Sequence, residues 1–546
     1  MGYEFAFIGK GKSFYKVRSI YILTIHNLVV GDRINMDNKM TNKVLRFKSF
    51  GIYIYCLLTA LIIMLICTRS SPLYVFNNWD DANSYFTVGK SIFKGMVPYR
   101  DLFDQKGMML YTLYGIASLI SYRSFLGVFV IELIASFITC IFIYKILNLY
   151  MRSYISAFLV PITAACIYST RSFWWGGSAE EMMMPLLMWG MYLSVRYFKE
   201  EYPDPVSTKT LLTGGILAGC VLNIKFNSLG FFFAWIVMIF IADLVISPYD
   251  EDSKIISKLK SCIIHGCIFV FGMIVATIPW IIYFAFNEAL YDWFHVYIYL
   301  NVFVYSEKLP LISRFYNMIK IIYNHMLSNP YCGLLTVFGG VGFIIMKNRV
   351  IEKVNIVMLA GFTALLIFIG GVELQYYSLP LWSFAVLGAI TIGRIAEYLL
   401  AKLISSKRYI AFVFAIVIAG IISYKSSMNV FFMKYSKDDL WLYHFTDMVE
   451  QSNIPNPTLI NMGCFDAGLY TTCGIVPTCR FFQTQTIKLE DVSIVQNDFI
   501  DNGKTDFVLV RDTIPANIDK HYDLVAKEDW QQSGNLFTYY LYQLAR

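Results

Sequence analysis

Runs of about 20 apolar residues, the length that crosses the hydrocarbon of a bilayer, recur from residue 50 to residue 424 of this chain. Where water is absent, a spanning segment must satisfy its own backbone hydrogen bonds, and a helix does so within one segment. The runs lie near 50–68, 125–147, 154–170, 180–198, 210–224, 228–246, 263–285, 330–346, 354–371, 377–398 and 408–424. They predict an α-helical polytopic membrane protein with about eleven transmembrane helices. Composition agrees: 57% of the residues are hydrophobic and only 15% are charged, where a soluble chain carries about 25% charged. A net charge of +7 over 546 residues is too diffuse for a nucleic-acid partner.

Orientation follows from lysine and arginine near the spans. With the N-terminus inside, the inner loops hold Arg152, Arg196, Lys199, Lys347, Arg349 and Arg394, while the short outer turns hold only Arg171 and Lys225. The bias predicts N-in and, with an odd number of spans, C-out. The expected domains are a basic cytoplasmic tail (1–49), a transmembrane domain (50–424) and a small extracytoplasmic α/β domain (425–546). In the last, Thr458 to Met462, Phe507 to Arg511 and Phe537 to Gln543 read as short strands. Met108 to Ser121 is apolar but short for a span and reads as an interfacial or re-entrant helix. The segment 286–329 is rich in aromatics of the kind that sit at headgroup level.

The outer segment 69–124 carries the densest polar chemistry: Asp80, Asp81, Asp101, Asp104, Arg100 and Lys106 within an otherwise apolar region. Carboxylates beside a membrane are costly unless solvated, paired or functional. Glu180 and Glu181 begin the fourth span, Arg171 precedes them, and Lys225 sits in the next outer turn. Carboxylates can deprotonate a hydroxyl or hold a divalent metal, and cations can neutralise a phosphate. Together they suit a reaction with a phosphate leaving group. Each residue alone also has a plainer reading, as a solvated loop aspartate or a helix-start glutamate favoured by the dipole.

Other motifs are weak. The six histidines are scattered, with no metal-ligand spacing. Most of the eleven cysteines lie in apolar runs, and the three in the tail, Cys464, Cys473 and Cys479, allow at most one bridge. Gly214-Gly215 and Gly339-Gly340 read as helix-packing positions rather than phosphate cradles.

Asp81, with Tyr85 four residues on and Gly89 eight on, precedes Gly95, Pro98-Tyr99, Asp101 and Phe103-Asp104-Gln105-Lys106-Gly107. This series resembles the first outer loop of bacterial GT-C glycosyltransferases, in particular the protein-mannosyltransferase and aminoarabinose-transferase group. Gly176-Gly177-Ser178-Ala179-Glu180-Glu181 is similar to the end of that group's second outer loop, and Tyr376-Tyr377-Ser378-Leu379-Pro380 to the start of a late helix. The resemblance implies inverting transfer of a sugar from a polyprenyl phosphate or pyrophosphate carrier to an envelope acceptor on the outer face. It implies Asp81 as the base, with Asp80 as the alternative, and Lys106 as the cation on donor phosphate. Asp104 would support the site or a metal, and Glu181 or Glu180 would be the second-loop acid. Tyr85, Tyr99, Arg100, Asp101, Arg171, Lys225 and Tyr376 complete the expected substrate-binding set. A divalent metal, with Asp104 and Glu181 as candidate ligands, is the one cofactor in question, because the glutamate–histidine pair of some relatives is not evident and Asn301 lies near its place. The expected partners are the polyprenyl-linked donor, the envelope acceptor and the bilayer.

A transporter or flippase of lipid-linked sugars, or an O-antigen-type polymerase, is the alternative. Transporters place ionisable groups near the midplane of repeated halves. Here the charges gather on one side and the loops are unequal.

Overall fold

The computed structural model describes residues 51–245, 255–305, 310–405, 408–487, 489–532 and 534–545. The basic tail 1–49 lies outside them. The chain divides into two compact units, Met1–Leu57 and Leu58–Arg546, and the architecture below is that of the second.

Helices occupy each of the apolar runs. In order they are α1 (Gly51–Cys67), α2 (Asp80–Ile92), α3 (Met108–Ile120), α4 (Leu126–Asn148), α5 (Ser153–Tyr168), α6 (Ala179–Arg196), α7 (Thr208–Leu222), α8 (Gly230–Val245) and α9 (Ile255–Phe286). Then come Leu311–Ser328, Pro330–Ile345, Val350–Phe368, Gln375–Ile395 and Arg408–Ser426. Among the described residues six helices are long and apolar enough to cross a membrane, or seven if Leu311–Ser328 and Pro330–Ile345, bent by 117°, form one broken span. α1, α3, α5 and α7 are apolar but fall short of that length.

Local chemistry sets the boundaries that matter for function. α2 starts with Asp80 and Asp81 in its first turn, where the helix dipole favours negative charge. Ser178 caps α6 by accepting from Glu181 N at 2.9 Å, and Glu181 Oε2 reaches back to Gly177 N at 2.7 Å. Gly176 and Gly177 both hold φ above +80°, so the turn into α6 needs residues without a side chain. Lys225 and the 3-10 turn Phe226–Leu229 join α7 to α8, as the break in the apolar pattern predicts.

α2 packs on α3, α3 on α4, and α4 on α6, which carries the two short helices α2 and α3 onto the helical bundle. Gly89 lets α2 and α3 touch: a Cβ there would lie 2.6 Å from both Gly115 N and Tyr111 O.

The segment 286–329 is helical through most of its described residues. Phe294–Val304 winds as a π-helix and Leu311–Ser328 as an α-helix. The latter is amphipathic: Ile312, Tyr316, Ile319, Tyr323 and Leu327 are exposed while Ile321 and His325 are buried. Its apolar residues follow helical spacing broken by Arg314 and Lys320, so a scan for continuous apolar runs passes over it.

The tail forms a four-stranded sheet: β1 (Leu459–Met462), β2 (Phe507–Arg511), β3 (Tyr522–Gln532) and β4 (Asn535–Leu544), in the order β1-β2-β4-β3. β1 and β2 are parallel and the other pairs antiparallel. The strand that sequence reasoning missed, β3, is an edge strand bearing Asp523, Lys527, Glu528 and Asp529. Charge on an edge blocks pairing with other chains and also hides the strand from a hydrophobic pattern. Cys464, Cys473 and Cys479 are all free.

Candidate active site

A cavity of about 680 Å³ opens where α2, the turn after α7, the π-helix and the Gln375–Ala385 helix meet. Its wall divides by chemistry. Asp80, Asp81, Lys106, Lys225 and Tyr376 supply polar groups, and Phe226, Val302, Leu366, Ile367 and Ile369 apolar surface.

Asp81 is held from two directions. Its Oδ2 accepts from Tyr85 Oη, one turn along α2, and from Tyr376 Oη, brought from far along the chain, both at 3.0 Å. Two phenols on one oxygen orient the carboxylate and leave Oδ1 without a hydrogen bond among the described residues. Asp80 turns the other way, with Oδ2 3.8 Å from Arg511 Nη1 at the end of β2. Burial, with Asp81 and Asp466 nearby, pushes the Asp80 carboxyl up to about 7 despite Arg511.

Lys106 reaches the same cavity from the loop before α3. The loop is pinned through its backbone: Lys106 O accepts from Tyr99 Oη at 2.6 Å, and Lys106 N donates to Tyr111 Oη at 2.8 Å. The ammonium lies 5.6 Å from the Tyr85 ring centre and makes no ion pair within 4.0 Å among the described residues. Burial alone would lower its pKa, but Asp81, Asp104, Tyr305 and Glu180 together hold it above the usual lysine value. Lys106 therefore stays charged. Lys225 is a second cation on the wall. Its Nζ lies 2.5 Å from Glu180 Oε1 and 3.6 Å from the Tyr377 ring centre. Burial, partly offset by Glu180, draws its pKa down to about 8.

The remaining predicted residues fall into three places. Tyr85 and Glu180 touch the cavity residues Asp81 and Lys225. Tyr99 is buried and props the Lys106 loop. Asp104 is buried in that loop, with Oδ1 accepting from Gln105 N at 2.8 Å and Oδ2 without a hydrogen bond among the described residues. Burial raises its pKa. Arg100 and Asp101 pair with each other at 2.8 Å, Arg100 also donating to Asn287 O, and neither lines the cavity. Arg171 is exposed and does not line it either. Glu181 is buried beside Glu132, whose carboxylate lies 2.9 Å from Thr68 Oγ1.

Asp104 and Glu181 thus keep different neighbours. Among the described residues no group of three or more His, Cys, Asp or Glu side chains is arranged to hold a metal ion. The residues present do not fit the metal that the resemblance raised, and no step below runs through one.

Several cavity residues were not legible as such. Trp79 meets Tyr376 edge-on with ring centres 5.1 Å apart. Trp174 holds φ 58°, a left-handed conformation that bulky residues avoid, with its carbonyl tied to Asn429 Nδ2 at 2.8 Å. Asn301 spans from the π-helix to Gln105 O at 3.0 Å. Phe465 and Thr486 come from the tail. Trp79 adjoins the aspartate pair and Asn301 was noted above only for the place it occupies, while Phe465 and Thr486 carry no local signal and reach the wall only once the tail folds. Only the neighbourhood of Trp174, next to the double glycine, hints at unusual backbone.

No family model and no curated protein matches the sequence. Solved structures do. ArnT from Cupriavidus metallidurans in the apo state superposes with a TM-score of 0.57 at 11% identity, over 90% of this chain and 98% of that one. The same protein bound to undecaprenyl phosphate superposes with a TM-score of 0.55 at equal identity and coverage. The archaeal oligosaccharyltransferase AglB from Archaeoglobus fulgidus aligns at 0.45 with 11% identity, over 90% of this chain and 74% of that one, too loosely to bear on the argument. The likeness to ArnT shows the fold: this chain shares that protein's architecture, and its described residues include several helices long and apolar enough to cross a membrane.

Proposed function

We propose that this chain is a membrane glycosyltransferase that moves a sugar from a polyprenyl phosphate or pyrophosphate carrier to an envelope acceptor on the outer face, with inversion. The observation that carries the reading is Asp81 and Lys106 on one cavity: a carboxylate oriented through one oxygen, and a half-buried lysine with no carboxylate partner within 4.0 Å among the described residues. ArnT, whose fold the chain shares, has been solved with undecaprenyl phosphate bound, which supports a lipid-linked donor.

In this reading the donor's lipid lies along Phe226, Val302, Leu366 and Ile367, and its phosphate meets Lys106 and Lys225. The acceptor O–H gives its proton to Asp81 Oδ1 as the oxygen attacks the anomeric carbon. The bond from that carbon to the phosphate oxygen breaks, and its electron pair leaves with the phosphate. That anion is stable without a proton, so no general acid is needed. Fixed cations and a preset carboxylate supply orientation and charge stabilisation.

Mass spectrometry of lipid-linked sugars and envelope glycans tests the reading, comparing cells that carry the chain, lack it, or carry Asp81→Asn. Asparagine keeps the size of aspartate but cannot take a proton. We expect Asp81→Asn to lower turnover at least ~10²-fold, the scale of a lost general base, and the donor lipid to accumulate. If Asp80→Asn is the inactive variant instead, the base is its neighbour. Full turnover in both would sink the mechanism.

A further inference from the structure

α2 is gripped by the tail along the side turned away from Tyr85. Ser84, Thr87 and Lys90 follow one another at three-residue steps. Ser84 Oγ donates to Gln483 Oε1 at 2.7 Å, Thr87 Oγ1 to Asp466 Oδ2 at 2.6 Å, and Lys90 Nζ to Tyr470 O at 2.6 Å. The partners are themselves linked: Gln483 Oε1 also accepts from Asp466 N at 2.7 Å, and Asp466 Oδ1 accepts from Gly468 N at 2.9 Å. All of these side chains are buried, with Thr87, Lys90 and Asp466 fully so. The same stretch of tail places Phe465 and Thr486 on the cavity wall.

Buried polar groups are costly unless satisfied, so a connected set of this kind defines one position for the helix and penalises others. The opposite constraint on α2 is the bond from Tyr376 to Asp81. We infer that Asp466 and Gln483 are positioning residues for Asp81: the tail sets the rotation and height of α2, and so aims the carboxylate into the cavity. The inference rests on the reading of Asp81 as the base. It makes the tail part of the catalytic unit, acting through α2.

The test uses membranes carrying the full chain and their endogenous lipid-linked sugars, scored by release of polyprenyl phosphate. Thr87→Val removes the donor to Asp466 with little change of shape, and Thr87→Ser restores it. We expect Thr87→Val to lower kcat about 10- to 100-fold, the effect of a small misplacement of a reacting group, with the KM for donor lipid unchanged. Thr87→Ser should recover most of the loss. The same substitution in the Asp81→Asn background should then have no further effect, because its action passes through that carboxylate. A loss of equal size in both backgrounds, or a wild-type kcat in Thr87→Val, overturns the inference. If Thr87→Val yields no folded protein, the milder Ser84→Ala, which removes one of the two donors to Gln483 Oε1 and leaves that from Asp466 N, is read by the same cycle and criteria. Full activity of Asp81→Asn alone would refute the base assignment instead, so the two failures are distinguishable.

Discussion

Adjacent aspartates at the start of α2 have unlike surroundings, and the difference is one of direction. Asp81 points to two phenols and Asp80 to a guanidinium. Lys106 has equally specific surroundings. If it served only to neutralise Asp104, an ion pair would be expected, and none lies within 4.0 Å among the described residues. We expect Lys106→Ala to accumulate as folded protein yet lose transfer by ~10- to 100-fold, since a charge-assisted contact to phosphate contributes more than an exposed pair. Lys106→Arg should be intermediate, because a planar fork replaces a point charge. The double change Asp104→Asn with Lys106→Met separates the two roles. Recovery of polyprenyl phosphate release in that variant would show that charge balance was the sole function of Lys106.

At the scale of elements, the site depends on the short helices α2 and α3, which touch closely. α2 and α3 cross at Gly89 and Gly115, and every near neighbour of a Cβ at Gly89 is backbone of α3, so a side chain added there has nothing flexible to displace. Gly89→Val should therefore lower thermal stability of the purified protein, at a cost of about 1–3 kcal/mol or more, and reduce activity through the displacement of Asp81. Gly95→Ala is the control for glycine loss without close contact: a Cβ there meets nothing within 4 Å, although its φ of +85° adds backbone strain. A melting temperature for Gly89→Val equal to that of the wild type would refute the close-packing argument. The elements that escaped sequence reasoning, Leu311–Ser328 and β3, share one physical cause. Both carry charges among their apolar residues, which break the continuous apolar pattern that sequence reasoning follows.

For the whole molecule, the bias of lysine and arginine predicts a sidedness that labelling can read. Single cysteines placed at the exposed positions Lys94 and Lys527 should react with a membrane-impermeant maleimide from outside intact cells. One at Asp204, exposed between α6 and α7, should react only after the membrane is opened. Labelling of Lys94→Cys from the cytoplasmic side alone would invert the topology and remove the cavity from the outer face. Because the tail bonds directly to α2, Lys94 and Lys527 should report the same side.

The helices of the bundle were legible in the sequence because a bilayer imposes length and apolarity on each segment separately. The outer-loop motif was legible for a related reason: charged residues in an apolar chain need a purpose. Within that motif the residues serve different ends. Asp81 and Lys106 line the cavity, Tyr99 props a loop, and Arg100 and Asp101 bind each other outside it. Spacing along the chain could not sort them, since each side chain's direction depends on what packs against its helix or loop. The meeting of Tyr376 with Asp81, the pairing of Lys225 with Glu180 and the grip of Asp466 and Gln483 on α2 join positions far apart in sequence. Such contacts exist only once the bundle closes and the tail folds onto it, so tertiary structure alone decided the geometry of the site.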